Sequence, residues 1–147
     1  DLGYNGIWLM PIHPTTTYHG YDVTDYYGVN PDFGTLEDFK SLLKTAGDKD
    51  IDIYIDFVVN HSSSEHPWFK AALKNDAKYK NYYRFSNSSS SNYWRGKLGG
   101  GYYYAFFSES MPDLNLSNQS VIDEINKIDN IFEIDHSQNH DKIVYIG

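Results

Sequence analysis

Residues 51–69 read IDIYIDFVVNHSSSEHPWF, an alternating run of Ile and Asp that ends in Asn60 and His61 and passes at once into small polar residues. Upstream, the segment YHGYD places Tyr18, His19 and Tyr21 within four positions. A neutral imidazole offers one donor and one acceptor. A Tyr ring offers a flat apolar face with a polar tip, which suits an amphipathic ligand such as a sugar. The side-chain oxygen of Asn60 suits Ca²⁺, a cation that takes oxygen ligands. Singly, an Asn or His at the end of a strand also serves as a loop or capping residue. Their meaning depends on whether the fold gathers them.

The elements that would gather them are legible. GIWLMPI (residues 6–12), closed by Pro11 and Pro14, reads as a buried strand. Thr35 with Asp38 three positions on forms a capping box, and Leu36, Phe39, Leu42, Leu43 and Ala46 fall on one helical face, with Gly47 placed to end the helix at C′. In the next strand Ile51, Ile53, Ile55, Phe57 and Val59 point one way, and Asp52, Tyr54, Asp56, Val58 and Asn60 the other. Strand, helix and strand at this spacing make a parallel βαβ unit. The Ile face is expected under the helix; the opposite face, bearing Asp52, Tyr54 and Asp56, is too polar for a second helical layer and suits a barrel interior. Residues 62–116 have weak periodicity, SNSSSSN and GGG breaks and many aromatics, with a short helix expected from Pro67. So long an irregular segment points to a functional loop or a subdomain. Val121, Ile122, Ile125, Ile128 and Phe132 mark another amphipathic helix from Asn118, and KIVYIG (142–147) is strand-like.

Because the carboxyl ends of parallel strands form the active face of such folds, the loop with His19 and Tyr21 and the end with Asn60 and His61 are expected to face one region. Composition narrows the ligand. Among 147 residues the net charge is −8, which argues against nucleic acid as a partner. There is no apolar stretch of the ~20 residues a membrane span needs, and zero Cys excludes disulfides and thiolate metal sites. Aromatics make up 17%, including 14 Tyr and 3 Trp, a supply that exceeds what charge or metal chemistry asks for and favours an amphipathic ligand or a ring-rich core.

GIWLMPI, YHGYDVTDYYGVNPDFGTLEDF, DFVVNH and MPDLN stand in an order and spacing that resembles the α-amylase family, glycoside hydrolase family 13, over residues 1 to about 130. The resemblance implies an α/β fold: a partial (β/α)₈ TIM barrel, about strands 2–4 with their helices, carrying an inserted domain B. Residues 1–61 would be barrel units, 62–116 domain B, and 117–147 the return to the barrel. DFVVNH is similar to the first conserved region of the family, at the end of the third barrel strand. MPDLN (111–115) is similar to the short motif near the end of domain B, in the variant of the group intermediate between oligo-1,6-glucosidases and neopullulanases. By matching position, Tyr21 is similar to the Tyr that stacks on the sugar beside the scissile bond and His61 to the His that hydrogen-bonds it. Asp56 resembles a structural Asp of the active site, Asn60 and Asp113 resemble two Ca²⁺ ligands, and His19 is a further substrate contact. Tyr18, standing where α-1,6-specific relatives often carry Asp, favours an α-1,4-glucan or maltooligosaccharide.

No catalytic residue is assigned in this chain. Retaining hydrolysis needs a nucleophile and an acid/base carboxyl about 5 Å apart. In the family the nucleophile Asp follows an Arg by two positions, and neither Arg84 nor Arg95 is so followed. The acid/base Glu follows a Gly; KIVYIG resembles the lead into that site but ends at Gly147. NHD (139–141) echoes a later His-Asp pair of the family, but its flanks do not fit a strand, and IFEIDHSQNHDK reads rather as a loop or helix entry with part of the fourth unit missing before it. The expectation is therefore a fragment of a retaining α-glucan hydrolase, poorly stable and inactive alone, for which the remainder of the barrel is needed. The alternatives are a non-catalytic amylase-like protein of the transporter heavy-chain kind, a related α-glucosidase or transglycosylase, and a stand-alone carbohydrate-binding module, the last disfavoured by the βαβ pattern.

Overall fold

A computed structural model describes residues 3–96, 100–132 and 144–145. The core unit is β1 (Gly6–Leu9), α1 (Leu36–Gly47) and β2 (Asp52–Phe57), with β1 and β2 parallel in the register Gly6 to Asp52 through Leu9 to Ile55. The helix starts where its capping residues dictate. The Thr35 hydroxyl accepts from the Asp38 amide at 3.2 Å, and the Asp38 carboxylate accepts from the Thr35 amide at 2.8 Å. That carboxylate comes so close to Gly34 (φ 118°) that a Cβ there would lie 2.9 Å from it, so only glycine fits. At the other end the expected Gly47 turn does not form. Gly47 is the last helical residue, Asp48 is the C-cap in αR geometry, and the left-handed residue is Asp50 (φ 54°). The Asp48 amide reaches back to the Lys44 carbonyl and the Lys49 amide to that of Ala46, so the exposed carbonyls are satisfied without a glycine turn.

The alternation of β2 is realised as Ile53, Ile55 and Phe57, all buried. They join Ile12, Val23, Phe39, Ala46, Val121, Ile128 and Phe132 in the core, so α1 and α3 (Gln119–Ile131) both contribute. His13 is buried among rings, 5.0 Å edge-on to Phe132 and 5.7 Å from Phe57, with Nδ1 bonded to the Gly28 carbonyl at 3.0 Å. β1 differs from the strand the pattern suggested. Its Ile7 and Trp8, with Met10 just beyond, are exposed, and among the described residues β1 pairs only with β2.

Between β2 and α3 lie helix α2 (Pro67–Leu73) and a three-stranded antiparallel sheet, β3 (Phe85–Ser86), β5 (Tyr102–Tyr104) and β4 (Trp94–Gly96), with β5 central. Pro67 opens α2 as expected, and the cap is His66, whose Nδ1 accepts from the Trp68 amide at 3.0 Å. This insertion has its own aromatic packing, Phe69 meeting Tyr83 at 4.9 Å and Tyr103 at 5.0 Å. It leaves and rejoins β2 at one place. The Leu114 amide bonds the Asn60 carbonyl at 2.8 Å, the Ser62 amide the Pro112 carbonyl at 3.1 Å, and the Ser64 amide the Ser110 carbonyl at 2.8 Å, while His61 faces Asp113 in an antiparallel bridge.

β6 (Val144–Tyr145) pairs in parallel with β2, Asp56 to Val144 and Phe57 to Tyr145, giving the sheet order β1-β2-β6. Val144 and Tyr145 of KIVYIG thus pair directly with β2. The NHD segment lies outside the described residues.

Candidate active-site cleft

The end of β2 and the loop after β1 are joined by direct hydrogen bonds. His61 Nε2 meets the Tyr21 carbonyl at 3.1 Å, and His61 Nδ1 meets Asn60 Nδ2 at 3.2 Å. A carbonyl can only accept, so Nε2 carries the proton and Nδ1 accepts from the Asn60 amide. Burial lowers the His61 pKa, the nearby Asp113 opposing the shift, and the ring is neutral at pH 7. Both of its nitrogens are therefore engaged inside the protein, and a sugar hydroxyl would have to exchange for one of them.

Tyr21 donates its hydroxyl to Asp56 Oδ2 at 2.8 Å, and this bond raises the Tyr21 pKa. Asp56 is buried, and its other oxygen accepts nothing among the described residues. The structure thus makes Asp56 the anchor of the Tyr21 ring. The Tyr21 amide donates to His19 Nδ1 at 3.1 Å, with the two rings 5.9 Å apart. Gly20 (φ 82°) precedes Tyr21 because a Cβ there would stand 3.1 Å from the Pro11 carbonyl oxygen. Tyr18 is fully exposed at the outer end of this loop, edge-on to His19 at 5.6 Å.

Asp22 is the residue that sequence reasoning missed. It is buried, and its carboxylate accepts from the Thr15 hydroxyl at 2.5 Å, the Thr16 amide at 3.3 Å, and the hydroxyls of Thr16 and Thr17. The run Thr15-Thr16-Thr17 followed by an Asp was the available signal. Burial alone would raise its pKa, but the three threonine hydroxyls outweigh burial and hold the group below the ordinary carboxylate value.

Asp113 comes to the same place from the insertion. Its Oδ1 accepts from the Phe106 amide at 2.9 Å, and Asn60 hydrogen-bonds its carboxylate. Arg84 Nη2 stands 3.8 Å from Oδ2, with the guanidinium 4.1 Å over the Tyr104 ring. Burial nevertheless raises the Asp113 pKa. Asn60 and Asp113 are thus neighbours, with the Asn60 amide nitrogen turned to the carboxylate. In donor type they fit a hard cation, supplying two of the six to eight oxygens that Ca²⁺ takes. Among the described residues no group of three or more His, Cys, Asp or Glu side chains completes the shell.

His19, Tyr21, Val58, Asn60, His61, Phe107 and Met111 line one cleft of about 470 Å³. The expected residues His19, Tyr21, Asn60 and His61 are therefore brought together, Asp56 supports the cleft through Tyr21, and Asp113 supports it through Asn60. Phe107 and Met111 complete the wall from the insertion, with the Phe107 ring 5.2 Å from His61. The walls are apolar faces edged by a few fixed polar groups, the makeup of a small-molecule site.

Known proteins match this arrangement. The model of the α-amylase catalytic domain matches residues 1–137. Alpha-amylase 3 of Dictyoglomus thermophilum is 48% identical over 132 residues, covering 87% of this chain and 26% of its own. The 4-alpha-glucanotransferase of Thermotoga maritima is 31% identical over 138 residues, covering 87% of this chain and 31% of its own. Among solved structures, Eubacterium rectale Amy13B superposes with a TM-score of 0.87 at 37% identity, over 97% of this chain and 30% of that one. The chain thus spans between a quarter and a third of the length of these relatives, whose fold is the (β/α)₈ barrel of which β1, β2 and β6 form a part. On a family match that runs through both the strand end and the insertion, the chain belongs to the α-amylase family.

Proposed function

We propose that the chain forms the substrate-facing wall of the active site of a retaining glycoside hydrolase acting on α-1,4-glucans or maltooligosaccharides. The observation that carries this reading is the convergence of Tyr21, His61 and His19 on one cleft at the carboxyl end of parallel strands. Tyr21 would stack on the sugar beside the scissile bond, with Asp56 fixing its ring. His61, neutral and with Nε2 as donor, would hydrogen-bond the same sugar in place of the Tyr21 carbonyl, and His19 would add an outer contact. The nucleophile and the acid/base carboxyl would come from residues outside these 147, on the remainder of the barrel. The exposed Ile7, Trp8 and Met10 of the β1 region support such a covering. Residues 62–116 would be domain B, and MPDLN would mark the group intermediate between oligo-1,6-glucosidases and neopullulanases. Asn60 and Asp113 would hold a Ca²⁺ that ties domain B to the barrel, its charge offsetting that of the buried carboxylate.

The test is turnover of a maltooligosaccharide series by the full-length protein that carries this chain, with the anomer of the first product read by NMR. Retention of the α-anomer is expected, and inversion or no hydrolysis refutes the reading. The 147-residue chain alone should hydrolyse nothing; measurable turnover by it would mean that the reacting carboxylates lie within it. The 4-alpha-glucanotransferase relative motivates a second reading, transfer instead of hydrolysis. Products longer than the substrate would favour that one.

A further inference from the structure

The insertion carries more exposed aromatic surface than its packing uses. Phe69, Tyr83 and Tyr103 are buried within it, whereas Tyr93, Phe106 and Phe107 are 41%, 46% and 56% exposed. These three rings form a continuous series. Tyr93 meets Phe106 at 4.7 Å with planes tilted 30°, Phe106 meets Phe107 edge-on at 5.2 Å, and Phe107 meets His61 in the cleft. The backbone holds them in place. The Ala105 amide bonds the Tyr93 carbonyl at 2.9 Å, and the Phe106 amide is tied to Asp113. The series therefore leads out of the cleft along the sheet of the insertion, on rigid supports.

We propose that Tyr93 and Phe106 form a second sugar-binding strip, which takes the part of an α-1,4-glucan chain that leaves the cleft past Phe107. This rests on the α-glucan reading of the cleft and names the substrate as a chain, with contacts beyond the bond being cleaved. Exposed rings held at fixed tilt present the flat apolar faces on which the C–H faces of successive glucose units stack. On one side the strip is flanked by hydroxyls and amides, residues 85–94 reading FSNSSSSNYW; at its other end Ser108 and Ser110, their hydroxyls 2.7 Å apart, bracket Glu109, and Arg84 stacks on Tyr104 behind Tyr93. A neutral polyol finds hydrogen-bonding partners along such a rim. A macromolecule read by its charge finds none between Phe85 and Trp94.

The experiment compares the full-length protein with its Tyr93→Ala, Phe106→Ala and double variants on p-nitrophenyl α-maltoside and on maltoheptaose. Both rings are exposed, and unfolding midpoints matching the parent establish that the variants are folded. For the double variant the expected result is about a tenfold loss of kcat/KM on maltoheptaose, carried by KM, with the short substrate changed less than about twofold. An equal loss on both substrates, or none on maltoheptaose, overturns the strip while leaving the cleft reading intact. A parent protein that turns over neither substrate overturns the cleft reading, and the strip with it.

Discussion

Asp22 offers the sharpest perturbation, because one side chain holds the loop that carries His19 and Tyr21. Asp22→Ala deletes four acceptor contacts, from three threonine hydroxyls and the Thr16 amide. Hydrogen bonds to a charged group contribute about 1.5–3 kcal/mol each. Thr16 and Thr17 are exposed, however, and their hydroxyls recover water in the variant. The net loss is then that of one or two such bonds, about 2–4 kcal/mol, which lowers the unfolding midpoint of a protein of this size class by about 5–15 °C. The pH dependence supplies a second readout. The folded Asp22 titrates below its ordinary value of 3.8, so its contribution is fully present above that value and is lost as pH falls through the folded pKa. The gap between parent and Asp22→Ala should therefore hold from neutral pH down to 3.8 and close only below it. The assay is the midpoint by circular dichroism at a series of pH values. A gap under about 1 °C at pH 7, or one that does not narrow below pH 3.8, would refute the claim that this carboxylate holds the loop.

Three further outcomes follow from the same geometry. Tyr21→Phe keeps the stacking face but leaves the buried Asp56 without its 2.8 Å donor, so stability should fall by about 1–3 kcal/mol and KM should rise less than in Tyr21→Ala; equal KM values in the two variants would count against a stacking role. Added Ca²⁺ should raise the unfolding midpoint, by the equivalent of about 2.7 kcal/mol at a hundredfold excess over its Kd, and Asp113→Asn should abolish the rise. No response in the parent would leave Arg84 as the counter-charge of Asp113 and refute the metal. Burial pushes His66 down to about 4, Asp25 opposing, so the folded state disfavours its charged form, and stability present above pH 6.5 is lost as pH falls towards 4. His66→Asn, which can still cap α2, should reduce that acid slope, with His13 and His61 (both lowered by burial) retaining the rest; an unaltered slope would show that His66 does not contribute to it.

What the sequence made legible is what local chemistry determines. The Thr35–Asp38 box, Pro67 at the start of α2, Asn118 capping α3 and the alternation of β2 are each decided by residues within a few positions. The family resemblance went further and named residues that meet in the cleft only after folding, such as Tyr21 and His61. Three features stayed out of reach for physical reasons. Asp22 looked like any loop Asp because its partners are threonine hydroxyls, common on surfaces, and only their convergence makes a buried anion tolerable. Phe107 and Met111 sit in a stretch without periodicity, and their place in the cleft depends on how the insertion returns to His61. The end of α1 went to Asp48 and Asp50 instead of a Gly47 turn, because the carbonyls found amide partners within a tight αR turn.

The ladder between residues 60–64 and 110–114 has a polymer-physical consequence. Because the two strands of chain that enter and leave the insertion are hydrogen-bonded to each other, the roughly fifty residues between them form a loop already closed at its base. The entropy of closing a loop grows only logarithmically, so doubling its length would cost about 0.6 kcal/mol and leave the base geometry untouched. Lengthening or shortening the far end of the insertion therefore costs the fold little, while Phe107 and Met111, at or beside the closed base, keep their place in the cleft wall. The closure at Asn60 and Asp113 thus separates a base that carries the cleft wall from a far end whose length is free to vary.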